Sequence, residues 1–120
     1  MRFRRPIQLA ALGWGCVLGA SSGLAAERGG TRLWNLTGVT LSEVRLAPAG
    51  TTRWGRNQCE NDRDGTVDFD ERLRITDVAP GVYDVQVKDD AGRVCLAKGV
   101  AVKAGEVFAV HENDLTDCKR

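Results

Sequence analysis

Alternation of apolar and polar residues, rather than a helical repeat, organises most of the chain. Arg72-Leu73-Arg74-Ile75-Thr76 alternates strictly, and so does Val82-Tyr83-Asp84-Val85-Gln86-Val87-Lys88. Successive side chains of a strand point to opposite faces, so Tyr83, Val85 and Val87 share one face, directed inward beside Leu73 and Ile75. Arg32 to Leu36 and Leu41 to Leu46 read as two more strands, joined through Thr37-Gly38 into a hairpin that Ala47-Pro48-Ala49-Gly50 ends. Leu41, Val44 and Leu46 are its candidates for burial. Asp89-Asp90-Ala91-Gly92 turns the chain into Val94-Cys95-Leu96-Ala97, and Lys103-Ala104-Gly105-Glu106 turns it into Val107-Phe108-Ala109-Val110. Apart from one turn at Glu112 to Leu115, residues 27–120 show no period of 3.6. Short strands separated by turn signals at this spacing predict an all-β domain, a small antiparallel β-sandwich.

The first 26 residues follow another plan. Arg2, Arg4 and Arg5 precede an apolar run from Ile7 to Leu24, which ends in Gly23-Leu24-Ala25-Ala26. This is the layout of a bacterial export signal, cleaved after Ala25 or Ala26, and it predicts a periplasmic protein. Gly13, Gly15 and Gly19 interrupt an already short apolar core, which argues against a permanent membrane anchor. Arg4-Arg5 leaves both the general secretory and the twin-arginine routes open. Cys16 falls within the signal. The remaining 27–120 form one small domain with 17 − 3 = 14 basic and 16 acidic residues. That slightly negative balance, with no basic stripe interleaved by aromatics, argues against a nucleic-acid partner.

Three cysteines follow the signal, Cys59, Cys95 and Cys118. In an oxidising compartment an odd count means one bridge and one spare thiol. Pairing Cys95 with Cys118 ties a polar tail to a strand, which leaves Cys59 free beside the acidic loop, read as a partly buried or dimer-bridging thiol over a metal ligand because a soft thiol suits a hard cation poorly.

Against this frame one segment stands out chemically. Of the twelve residues from Glu60 to Glu71 six are acidic, opposed only by Arg63, a local balance of −6 + 1 = −5. Such a density of like charge repels itself unless a cation sits within it. Aligned as an EF-hand-type loop, Glu60, Asp62, Asp64, Asp68 and Glu71 take positions 1, 3, 5, 9 and 12. Gly65 takes the sharp turn, Thr66 offers its backbone carbonyl, and Val67 is the inward apolar residue. Glu60 departs from the usual Asp. Hard oxygen donors select Ca2+ or a lanthanide(III) over zinc or copper, and four or five carboxylates favour the trivalent ion. So small a loop leaves coordination positions for water or for a second protein molecule, and the latter would make a metal-bridged homodimer. The competing reading is a structural or protein-interaction domain whose acidic loop is a solvated face.

Enzymatic readings find little support. The single histidine, His111, lies at a strand end with no nucleophile beside it. Its neighbours Glu112, Asp114 and Asp117 suggest at most a second cation patch, against the simpler reading of an exposed tail histidine. Carboxylates gathered in one exposed loop lack the apolar pocket and cleft that glycoside hydrolysis needs. Asn35-Leu36-Thr37 spells a glycosylation acceptor but reads as a turn in an exported bacterial chain.

Asp77-Val78-Ala79-Pro80-Gly81-Val82-Tyr83-Asp84-Val85 resembles the Pro-Gly-x-Tyr strand start of prealbumin-like modules, which implies a prealbumin- or immunoglobulin-like sandwich. Asn35-Leu36-Thr37-Gly38, Leu46-Ala47-Pro48-Ala49-Gly50 and Trp54-Gly55-Arg56-Asn57 resemble a family of small exported bacterial domains with an Asn-x-Thr-Gly hairpin ahead of a Trp-Gly loop. A narrower resemblance is to the periplasmic lanthanide chaperones of methylotrophic bacteria. Asp64-Gly65-Thr66-Val67-Asp68 with Glu71 is similar to the metal loops of lanmodulin, although those lie between helices. The resemblance implies a metal chaperone or trafficking role.

Overall fold

The computed structural model describes residues 30–120, so the export-signal reading of 1–26 and Cys16 lies outside the described residues. Seven strands form two sheets: β1 (Thr31–Leu36), β2 (Leu41–Pro48), β3 (Arg72–Ile75), β4 (Gly81–Asp89), β5 (Val94–Val102), β6 (Val107–His111) and β7 (Leu115–Lys119). One sheet has the order β3-β1-β6 and the other β2-β4-β5-β7. Two short 3₁₀ turns interrupt the strands, Gln58–Asn61 before the acidic loop and Glu112–Asp114 between β6 and β7. The fold is all-β, with one departure from antiparallel pairing: β1 runs parallel to β6, from Arg32 opposite Val107 to Leu36 opposite His111.

Alternation places the core as the pattern requires. Leu33 on β1, Leu73 and Ile75 on β3, and Phe108 and Val110 on β6 point inward from one sheet. Val44 and Leu46 on β2, Val85 and Val87 on β4, and Cys95 and Ala97 on β5 point inward from the other. Together they make one apolar cluster, in which each fully buried Leu or Val contributes about 1.5–3 kcal/mol. Tyr83 is only half-buried, because the β4–β5 register shifts between Tyr83 and Val85.

The expected hairpin of β1 and β2 does not form, since the two strands belong to different sheets. The cause is Asn35. Its side chain is buried, with Nδ2 donating to the carbonyls of Val39 and Val67 and Oδ1 accepting from the Thr37 amide and hydroxyl. Those four bonds fold Asn35-Leu36-Thr37-Gly38 into a corner, and Gly38 at φ 87° completes a bend that a side chain would strain. A two-residue hairpin turn would leave these groups facing solvent. The C-terminal tail, too, is more ordered than its polarity suggests: β7 pairs with the outer side of β5, and a disulfide joins Cys95 to Cys118.

Candidate functional site

The Glu60–Glu71 loop crosses from one sheet to the other and is anchored at its start by the side chains of the partly buried Asn57 and the buried Gln58, and at its end by the backbone of the buried Asn35. Asn57 Oδ1 accepts from the amides of Val44 and Cys59, and its Nδ2 donates to the Ser42 carbonyl, which fastens the first 3₁₀ turn to β2. Gln58 is buried and bonds both the amide and the carbonyl of Thr76, which fastens the same turn to the end of β3. At the far end the Asp70 amide donates to the Asn35 carbonyl at 2.7 Å, and the Asn35 amide donates to the Glu71 carbonyl at 2.9 Å.

Between these anchors the chain makes its turn where the spacing predicts it. Gly65 takes φ 77°, its amide donating to the Asp62 carbonyl, while Asp62 Oδ1 accepts from the Asp64 amide at 2.9 Å. Val67 is fully buried and exchanges two 2.9 Å backbone bonds with Leu41, an isolated antiparallel bridge. Val67, in the middle of the acidic stretch, thereby becomes the pivot of the loop. Glu71 Oε1 accepts from the Asp68 amide at 2.8 Å, and Asp68 Oδ1 accepts from the Thr40 hydroxyl at 3.0 Å. The Thr66 carbonyl accepts no hydrogen bond among the described residues.

The acids therefore stand in separate groups. Glu60 turns back to Arg56 at 3.5 Å, Asp62 and Asp64 share one tight turn, and Asp68 and Glu71 share the next. Asp70, at φ 71°, accepts from the Trp34 indole at 3.0 Å. Among the described residues no three His, Cys, Asp or Glu side chains converge as a preformed metal cage. What the loop offers is a row of hard oxygen donors on a fixed backbone.

Cys59, in the 3₁₀ turn that opens the loop, is fully buried. Burial, reinforced by the charges of Asp62 and Glu43, pushes its thiol up to about 12. It stays protonated at neutral pH, unsuited to ligate a cation or to bridge a dimer. The tail acids do not gather around His111. That ring lies 3.3 Å from Asp114, while Glu112 pairs with Arg93 and Asp117 with Lys98. Trp54 lies away from the acidic loop, lining an open groove with Gln86 and Leu96 on the four-stranded sheet. The indole beside the loop is Trp34, and the parts that sequence reasoning missed are this tryptophan and the anchors Asn35, Asn57 and Gln58. Asn-x-Thr-Gly and Trp-Gly-Arg-Asn marked the positions of the first two, without indicating that their amides would be turned inward. Comparison of the chain with protein-family models, with curated proteins and with solved structures finds no significant match in any of the three.

Proposed function

We propose that this chain is an exported metal-binding protein, a small β-sandwich that holds a lanthanide(III) or Ca2+ in the EF-hand-like Glu60–Glu71 loop and serves in trafficking of that ion. The observation that carries the reading is the Val67 pivot. Val67 locked to Leu41 and Gly65 turning ahead of it fix the backbone of the loop; in this reading a bound cation draws the separate carboxylates of Asp62, Asp64, Asp68 and Glu71 together by side-chain rotation, with the Thr66 carbonyl as a further hard donor. Glu60 must leave Arg56 to join them. A bound cation relieves the repulsion among these carboxylates, and binding adds stability by mass action, about 4 kcal/mol at a thousand times the dissociation constant.

Terbium titration tests the proposal, with emission sensitised through Trp34, whose indole already bonds Asp70. Luminescence and a rise in melting temperature are expected, with a smaller rise for Ca2+. Asp62→Asn with Asp64→Asn is expected to abolish both while leaving metal-free stability equal or higher. A wild-type protein showing neither response overturns the proposal. The separation of the acids into pairs favours a second reading, a protein-interaction domain whose acidic loop docks a basic surface without any ion. A silent titration selects it.

A further inference from the structure

The outer face of the three-stranded sheet carries an unusual arrangement of charge. Side chains that alternate with the core residues of β1, β3 and β6 point away from the core, and among them are Arg32, Arg72, Arg74 and Trp34. The register sets Arg32 directly opposite Arg74 and Trp34 opposite Arg72. Like charges placed directly across a strand pair are destabilising unless an anion lies over them. The Arg72 guanidinium stacks on the Trp34 ring, 4.3 Å from its centroid. None of the three arginines takes part in an ion pair among the described residues. On the far side of this face Val107 is 45% exposed.

The matching negative charge lies alongside. The first 3₁₀ turn packs along β3, where Asn61 Nδ2 donates to the Arg74 carbonyl, and Asp70 accepts from the Trp34 indole, so the acidic loop both begins and ends at the arginine face. Phe69 stands in that loop, 56% exposed. One surface thus has a positive half with an apolar side chain and a negative half with another. A two-fold rotation brings each half against its opposite, as an isologous contact requires.

We propose that this surface docks a second copy of the chain, the arginine face of each protomer receiving the acidic loop of the other, with no metal in the contact. The sheet itself measures only about 20 Å by about 14 Å, from strands of six residues or fewer at the usual spacing. With the loop included, the contact belongs to the small, transient class of interfaces, dominated by charge and sensitive to salt.

The test is sedimentation of the chain in chelator at high protein concentration, at about 0.01 M and at about 1 M salt, where the screening length falls from about 30 Å to about 3 Å. A dimer at low salt that dissociates at high salt is expected. Arg32→Glu with Arg74→Glu is expected to be monomeric, and so is Glu60→Lys with Asp64→Lys. Mixing these two variants is expected to restore a dimer, because each then supplies the charge the other lacks, and this also shows that both are folded. A monomer under every condition overturns the proposal. So does a dimer that forms only with added metal, one that survives arginine reversal, or a mixture of the two variants that stays monomeric.

Discussion

Asn35 shows how much one buried amide can set. Its side chain makes four hydrogen bonds, and its backbone makes two more to the acidic loop. Asn35→Ala removes the side-chain bonds and leaves buried donors and acceptors unpaired, each costing about 1–3 kcal/mol. A loss of about 3 kcal/mol in denaturant unfolding is the expected outcome, together with weaker terbium binding, because the Val67 carbonyl loses one of its partners. Cys59 is the opposite case, a residue whose chemistry is silenced by its place. The same thiol on the surface would be a candidate for bridging.

At the scale of elements, β7 depends on its bridge. The strand is exposed along nearly its whole length and pairs only with β5, where the register shifts between Val94 and Leu96. Apolar burial contributes little to hold it. The Cys95–Cys118 disulfide closes a segment with a sequence separation of 23, worth about 3 kcal/mol in the chain-entropy model. Reduction is expected to lower the melting temperature and to speed hydrogen exchange of the 115–119 amides. Equal exchange in both redox states would show that the ladder alone holds the strand.

Across the whole molecule, an ionic link ties the two sheets at one end. Arg93, in the turn after β4, bonds Asp89 at 3.2 Å and reaches Glu112, just past β6, at 3.1 Å. Burial raises the affinity of the Asp89 carboxyl for its proton. The amides of Arg93 and Ala91 and the Arg93 guanidinium outweigh that effect and hold the carboxyl below its usual range. Because the folded form is the stronger acid, its contribution is fully present above about pH 4, the ordinary Asp value, and is lost as pH falls through the depressed folded value. Thermal melts from neutral pH to about pH 2 are expected to show this acid loss. Asp89→Asn is expected to melt lower at neutral pH and to lose less stability on acidification. A variant with the wild-type acid profile would remove Asp89 from that role.

Six of the seven strands, their inward faces and the turn of the acidic loop were legible in the sequence, because each rests on local physics; β7, polar and exposed, was not. Alternation selects which side chains are buried, glycine marks where φ must be positive, and position 8 of the loop pattern marks Val67 as the inward residue, whereas Phe69, two residues on, stays 56% exposed. Leu73, Ile75, Val85, Val87, Gly65 and Val67 all sit where that logic put them. The sheet to which each strand belongs, the parallel pairing of β1 with β6 and the anchoring of the loop were decided only in the tertiary structure. Those depend on partners far apart in the chain: Asn35 and Val67 are 32 residues apart, Gln58 and Thr76 18. A buried amide carries no periodic signal, so the residues that shape this site were the ones a linear reading had least means to find.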